Sequence, residues 1–359
     1  MSVSTTLKRS GHTAYVPTQT PPQADSPPQF QPARLRLARE LAQRSQAELV
    51  KRTGLSAAAI SQYESGSARP STDAIAKLAD SLDVSPAFLT KSVQDTHDGF
   101  FRSLRRSTVA DRRRARAFAV LIHDLAPEIP DIAQADVPSL PVADLSDQLS
   151  PIEAARKTRE HWGVPPGRIE NMVQLLEAHG IIVVTLPLGS PDVDAFSLPF
   201  ADHPVVVLGT DKDDRARSRF DAAHELGHLV MHRQHAWGIK AVEDQAHAFA
   251  AEFLMPADDI APELPARADW PKLFDLKMDW HVSLAALLMR ARTLGIMAPP
   301  DYLNAVKAAS ARGWRRYEPV DIGAREKTNI ADRLEELALT DSRFEWLPAS
   351  FKKQLVSSQ

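Results

Sequence analysis

The stretch that decides the fold of the second half of the chain is residues 215–232, which read RARSRFDAAHELGHLVMH. Two of its histidines, His224 and His228, are four residues apart. On a helix, residues at that spacing lie on one face, so both imidazoles can bind one metal ion. Glu225 is displaced around the helix, where its carboxylate can take a proton from an attacking water. The spacing therefore predicts a catalytic zinc site, with two histidine ligands and a glutamate base.

A catalytic zinc site needs a third protein ligand and one open position. Candidates lie in residues 242–256, VEDQAHAFAAEFLMP, where Glu243 and His247 are again four residues apart. One of the two can bind the metal while the other orients it, and the spacing alone does not choose between them. Binding by both would make the site structural rather than hydrolytic. His232 continues the histidine row by one turn and is predicted to lie beside the site or at the surface.

A second pattern lies in residues 45–70, SQAELVKRTGLSAAAISQYESGSARP. Ser45 and Ser56 are suited to cap two short helices, and Gly54 to form the tight turn between them. Two short helices joined in this way form a helix-turn-helix unit, whose second helix enters the major groove of DNA. The exposed positions of that second helix are small or carry an amide, so they can approach base edges closely.

The composition describes a globular protein: of 359 residues, 43% are hydrophobic and 25% charged. The formal net charge is −3, so any affinity for DNA must come from local basic patches. Cysteine is absent, which excludes disulfides and thiolate metal sites and fits a reducing cytosol. No apolar run approaches the length of a membrane span. We therefore expect a cytoplasmic protein with no membrane partner.

Composition and periodicity divide the chain into five parts. The predicted parts are a proline-rich disordered tail (1–31), a helix-turn-helix domain (32–92), a basic helix with a linker (93–149), a metal-binding domain (150–312) and a C-terminal tail with one helix (313–359). Three β-branched runs between helices, at 181–186, 193–198 and 205–208, predict a small sheet in the fourth part. The expected fold is thus multidomain, with an all-α domain followed by an α+β domain.

Seven arginines crowd residues 101–116: Arg102, Arg105, Arg106, Arg112, Arg113, Arg114 and Arg116. A run of like charges is usually a solvated helix face. Its position after the helix-turn-helix unit also allows contact with DNA phosphates or with an acidic partner. Both interpretations stay open at the level of sequence.

The pattern at 45–70, continued by Gly66, Arg69, Pro70 and the run Ile75-Ala-Lys-Leu-Ala79, resembles the Xre/Cro-like phage repressor family over about residues 33–90. The resemblance implies binding to double-stranded DNA. It also implies that one residue touches the phosphate backbone and four face the bases; these are Gln46 for the backbone and Ser56, Ala57, Ser61 and Gln62 for the bases. A homodimer on a two-fold site is expected, because single units rarely hold enough interface.

The run His-Glu-Leu-Gly-His, followed by Ala-Ala-Glu-Phe-Leu-Met-Pro, resembles the ImmA/IrrE-type metallopeptidase family over about residues 150–300. The resemblance implies a zincin-like fold, Zn²⁺ as the cofactor, Glu243 as the third ligand and cleavage of Xre-type repressors. The position of His247 is often asparagine in that family. The expected function is therefore a DNA-binding transcriptional regulator with a zinc-dependent endopeptidase domain. The alternative is a non-cutting transcription factor, or an antitoxin paired with a toxin, whose zinc domain senses a ligand or a protein.

Overall fold

The computed structural model describes residues 29–93, 108–129, 140–141, 149–188, 194–211, 214–232 and 240–356. Residues 1–28 of the predicted tail, most of the predicted linker and three of the seven arginines lie outside the described residues. Helices of the N-terminal part are α1 (Pro32–Leu41), α2 (Gln46–Thr53), α3 (Ala57–Ser65), α4 (Thr72–Leu82) and α5 (Val109–Leu125), with a short 3-10 helix at Pro86–Thr90.

The predicted caps and turn of the helix-turn-helix unit are confirmed. Ser45 accepts the backbone N–H of Glu48, whose side chain bonds back to it, which forms a capping box at the start of α2. Gly54 ends α2 in the left-handed conformation, with φ of 70°, which glycine adopts without strain. Ser56 accepts the N–H of Ala59 and begins α3. Local residue choices therefore determine both helix starts and the turn between them.

The second part of the chain is α+β, as the sequence predicts. Its strands are β1 (Ile182–Leu186), β2 (Ala195–Leu198) and β3 (Val205–Gly209), within two residues of the predicted runs. Its helices are α6 (Pro151–His161), α7 (Met172–Ala178), α8 (Arg215–Met231), α9 (Lys240–Leu254), α10 (Ala257–Ile260), α11 (Trp270–Trp280), α12 (Leu284–Thr293) and α13 (Pro299–Ala311). In the sheet, β3 is central, parallel to β1 and antiparallel to β2. Within the described residues, no helix is long and apolar enough to cross a membrane.

The sheet separates two hydrophobic cores, because side chains alternate along its strands. Val183 and Val206 face a core shared with α8, α9 and the helices that follow them. Ile182, Val184 and Val207 face the other core, which also contains the helix-turn-helix unit and α5. The sheet thus has the helices of the predicted metal site on one face and the helix-turn-helix unit on the other.

Helix α5 is part of the core that contains the helix-turn-helix unit, whereas the sequence suggests only a basic helix followed by a linker. Its residues 117–122 are at most 2% exposed. A buried ion pair of 2.7 Å joins Arg34 of α1 to Asp124 of α5. At the sheet, His123 of α5 lies 2.8 Å from Asp202 and stacks on Phe200 at 3.7 Å. The helix therefore connects the helix-turn-helix unit with the turn between β2 and β3.

After Gly313 the sequence predicts one helix, but the described part contains two, α14 (Asn329–Thr340) and α15 (Ala349–Val356). The second was missed because it is short and depends on tertiary contacts for its stability. Phe351 of α15 is 1% exposed and lies 4.6 Å from Phe118 of α5, ring centre to ring centre. The ring of Trp346 lies 5.9 Å from Phe88 in the helix-turn-helix domain. The C-terminal part thus folds back onto the N-terminal one.

Candidate metal centre and DNA-binding face

Helices α8 and α9 carry the predicted metal ligands, and Gly227 allows them to lie close together. A Cβ atom at Gly227 would lie 3.0–3.2 Å from three atoms of the Phe249 side chain. A methyl group there would require Phe249 to shift by a few tenths of an ångström, since such distances are shorter than ordinary van der Waals contact. The glycine of the His-Glu-Leu-Gly-His run therefore permits the close approach of the two helices.

His224, His228 and Glu243 meet at one point between these helices. Their nearest donor atoms all lie within 4.8 Å of one another. The two histidine Nε2 atoms are 3.1 Å apart. Glu243 places one carboxylate oxygen 3.3 Å from His224 Nε2 and the other 3.9 Å from His228 Nε2. His228 is buried, while His224 and Glu243 each keep 12% of their side chains exposed, so one side of the group is open.

The donor set fits zinc. Two ligands about 2.0–2.1 Å from a tetrahedral metal are about 3.4 Å apart, close to the separations found here. Two neutral imidazoles and one carboxylate are a ligand combination of catalytic zinc sites, which keep a fourth position open. The residues brought together are therefore the three that the sequence assigns to the metal.

His247 does not belong to this group. Its Nδ1 donates a 2.7 Å hydrogen bond to the backbone carbonyl of Glu243, and its side chain is exposed. The ring packs edge-on against His224, with centroids 4.5 Å apart. The geometry thus separates the two candidates that the spacing left open: Glu243 lies with the two histidines, and His247 lies at the rim of the group.

Glu225 is buried beside the ligand group, and Ser197 of β2 holds it. The Ser197 hydroxyl donates a 2.6 Å hydrogen bond to Glu225 Oε2, and neither side chain is more than 4% exposed. Burial raises the pKa of Glu225 well above its ordinary value, and the bond from Ser197 opposes this. The nearby charges of Glu243 and Asp221 raise that pKa further. Sequence reasoning missed Ser197; its only signal was one hydroxyl in an apolar strand.

A chain of hydrogen-bonding side chains continues behind His228. Its Nδ1 lies 3.0 Å from His232 Nδ1, and His232 Nε2 lies 3.0 Å from Gln245 Oε1. With Gln245 as acceptor, His232 carries its proton on Nε2 and accepts from His228 on Nδ1. That arrangement leaves the lone pair of His228 on Nε2, the atom that faces His224 and Glu243. His232 is 1% exposed, so of its two predicted locations it occupies the one beside the site.

Glu252, in the Ala-Ala-Glu-Phe-Leu-Met-Pro run, has a structural role. It is 1% exposed and forms ion pairs with Arg290 of α12 and Arg156 of α6. Arg290 also donates to the carbonyl of Met255 at 3.0 Å. These bonds hold α9 between its neighbouring helices and so fix the position of Glu243. Arg219 of α8 is similarly held by a buried ion pair with Glu326, from beyond the predicted domain boundary.

The candidate DNA-contacting residues lie together on the surface of the helix-turn-helix unit. All five are exposed, and four of them lie on α3 or at its N-terminus. Gln46, the first residue of α2, donates a 2.8 Å hydrogen bond to Glu64. Glu64 is itself held by Arg39 at 2.5 Å and 3.0 Å. The N-terminal part of α3 is thus exposed, and the contacts of Glu64 with Arg39 and Gln46 hold the C-terminal end of the helix in place.

Comparison with known families agrees with both parts of this structure. A helix-turn-helix family model matches residues 35–89, and a model described as an IrrE N-terminal-like domain matches residues 176–292. No curated protein matches the chain. The molecule therefore combines a helix-turn-helix unit with a region similar to the IrrE N-terminal-like domain. Its first domain is Xre-like and its second IrrE-like, which confirms the architecture predicted from the sequence.

Proposed function

We propose that this chain is a transcriptional regulator whose IrrE-like domain is a zinc-dependent endopeptidase, with an Xre-type repressor or another partner protein as its substrate. One observation carries the proposal. Three ligand side chains converge between α8 and α9, and a buried carboxylate that is not part of that group, Glu225, lies beside them. A purely structural metal site has no need of Glu225.

In this proposal His224, His228 and Glu243 hold the metal. Zinc bound there supplies Lewis acidity toward water and the peptide carbonyl. Glu225 accepts a proton from the attacking water and passes it to the leaving amine. Ser197 holds Oε2 of that carboxylate, which leaves Oε1 for the proton. His247 lies at the rim and takes no part in metal binding.

In this proposal the DNA-binding half either brings the peptidase to a DNA-bound partner or changes its DNA binding under the control of the peptidase domain. We propose that Ser56, Ala57, Ser61 and Gln62 face the bases and that Gln46 contacts the backbone, in a homodimer on a two-fold site. Three of these base-facing residues have small side chains and the fourth, Gln62, carries an amide. We therefore expect Gln62 to contribute most to direct recognition of the bases.

The second candidate is a regulator or antitoxin that binds zinc without cutting. The shared core favours it, because α5 and the sheet face belong to one hydrophobic cluster with the helix-turn-helix unit. A change at β2, which contacts Glu225 through Ser197, can reach the DNA-binding half through His123 and Asp202. Such packing is what a sensor domain needs.

The experiment compares the full chain with its Glu225→Gln variant. Each is loaded with zinc and incubated with an Xre-type repressor, taken from the neighbouring genes where one is encoded there, and fragments are identified by intact mass. We expect one zinc per chain in both proteins and fragments with the wild type only, since the variant keeps the ligands and loses the base. Zinc without fragments in the wild type would favour the second candidate, and equal cutting by the variant would remove Glu225 from its role.

A further inference from the structure

A cleft of about 540 Å³ opens where α1, α3 and α5 meet. Arginines dominate its lining; they are Arg36, Arg39, Arg112, Arg113 and Arg116. The cleft contains the described arginines of the basic run except Arg114. It lies on the DNA-binding half, on the opposite side of the sheet from the metal ligands.

The cleft is strongly positive. Its lining has two carboxylates, Glu40 and Glu64, against the five arginines. Arg39 is committed to Glu64 through two hydrogen bonds. The other four arginines of the lining, Arg36 and three on α5, outnumber its remaining carboxylate, Glu40. Glu40 lies in the field of four of these arginines, yet burial still raises its pKa. The chain as a whole has a net charge of −3, so this is a local concentration of positive charge.

The chemistry of the lining selects phosphate. Guanidinium groups match phosphate oxygens in a bidentate geometry and bind them at low desolvation cost. Of the side chains lining the cleft, Val109 is the apolar one, and none is aromatic. The lining therefore lacks the aromatic platform on which nucleobases stack, whereas a sugar–phosphate backbone needs none.

The cleft continues the surface that the helix-turn-helix unit presents to DNA. Gln46, at the start of α2, donates to Glu64 at 2.8 Å, and Glu64 lines the cleft. We propose that the cleft binds the phosphate backbone of the DNA held by this unit, and so extends the backbone contacts from α2 to α5. The inference rests on the proposed DNA binding and adds the surface that supplies most of its electrostatic affinity.

Arg114 offers a matched control. It belongs to the same run and the same helix turn as its neighbours, but it donates a 2.9 Å hydrogen bond to Gln354 of α15 and does not line the cleft. Replacing it removes one positive charge from α5 without changing the cleft. An effect of losing one positive charge, independent of the cleft, appears equally in this variant and in a single cleft variant such as Arg36→Gln.

The test measures affinity of the full chain for a mixed-sequence duplex of about 30 base pairs, three helical turns, between 50 and 200 mM NaCl. The triple variant Arg112→Gln, Arg113→Gln, Arg116→Gln should reduce the slope of log affinity against log salt by about 2–3, and Arg36→Gln by about 0.9, since each lost phosphate contact removes about 0.9. Arg114→Gln should leave the slope unchanged. Circular dichroism and zinc content check that the variants fold; Arg36→Gln changes an exposed side chain and keeps the test valid should the triple variant unfold.

Three results would overturn the inference. The first is a salt slope that stays at the wild-type value in both cleft variants. The second is a reduction of that slope by Arg114→Gln equal to the reduction by Arg36→Gln. The third is calorimetric binding of inorganic phosphate that the cleft variants abolish while their DNA slopes stay at the wild-type value. That last result would assign the cleft to a small anion. Absence of DNA binding by the wild type at 50 mM salt would contradict the proposed function itself, and is thereby distinguished from failure of the cleft.

Discussion

Ser197 Oγ donates a 2.6 Å hydrogen bond to Glu225 Oε2, and this bond joins β2 to the helix that carries both metal-site histidines. Ser197 is fully buried in a strand whose other residues are apolar or small. A buried hydroxyl is costly unless it has a partner, and here the partner is the candidate base. The bond fixes one carboxylate oxygen and so orients the other.

The first prediction concerns Ser197→Ala. Zinc content should stay at the wild-type level, because Ser197 is not a ligand, while repressor cleavage should slow about tenfold, the effect of losing a bond of about 1–1.5 kcal/mol. Ser218→Ala, another buried serine on the far half of α8, is the matched control and should cut normally. Wild-type rates in Ser197→Ala would show that the bond does not position Glu225.

The second prediction concerns His232 and Gln245. His232→Ala should weaken zinc binding by about 10–100-fold, because His228 loses the partner that fixes its tautomer. Gln245→Leu should weaken it less, and Gln245→Glu, which still accepts from His232, should preserve it. Competition with a chelator measures the affinities. His203→Ala replaces another buried histidine, near the sheet, and serves as the control. If this variant lost as much zinc affinity as His232→Ala does, the effect would be a general one on folding.

The third prediction separates Glu243 from His247. Glu243→Gln should weaken zinc binding by about one to two orders of magnitude or more, since a carboxylate ligand is lost. His247→Asn should keep both zinc and cleavage, because the His247 side chain bonds to the backbone carbonyl of Glu243 and is not among the three candidate ligands. Zinc lost from His247→Asn and kept by Glu243→Gln would reverse the assignment and support the non-cutting regulator.

The fourth prediction concerns the C-terminal helix. Phe351→Ala should lower the free energy of unfolding by about 3–5 kcal/mol, because a fully buried ring that packs on Phe118 is replaced by a cavity. Denaturant titration followed by circular dichroism measures the change. Tyr317→Ala, at a position 79% exposed, should alter it by about 0.5 kcal/mol or less. A small effect of Phe351→Ala would mean that α15 is separable from the core.

The fifth prediction is a pH dependence of stability. Glu177 accepts the backbone N–H groups of Asn329 and Ile330 at the start of α14. Burial raises its pKa from 4.5 to about 7, the two hydrogen bonds oppose this, and the charge of Asp332 adds to it. Between these values the folded chain holds a proton that the unfolded chain releases, so stability falls as the pH rises through that window.

Glu177→Gln should remove this contribution. Denaturant midpoints from pH 4.5 to pH 8 measure it: the wild type should lose stability relative to the variant as the pH rises through about 7. A constant difference between the two proteins over the whole range would show that Glu177 does not titrate in the folded state.

Much of this molecule could be predicted from local patterns. The capping serines, the turn at Gly54, the i,i+4 histidines and the three β-branched runs all act within a few residues of one another. Their effects come from backbone conformation and helix geometry, which tertiary contacts change little. The helix-turn-helix unit, the sheet and the pairing of the two candidate histidine ligands could therefore be predicted from the sequence.

Only the tertiary structure decided which other groups reach the metal site. Glu243 and His247 lie four residues apart on α9, and only the packing of α9 against α8 brings the carboxylate of Glu243 to the two histidines. Ser197 meets Glu225 across 28 residues of chain. The burial of α5 and the return of α15 likewise depend on apolar surfaces distant in sequence. Such contacts have no local signature, because packing depends on shapes that exist only once the elements are assembled.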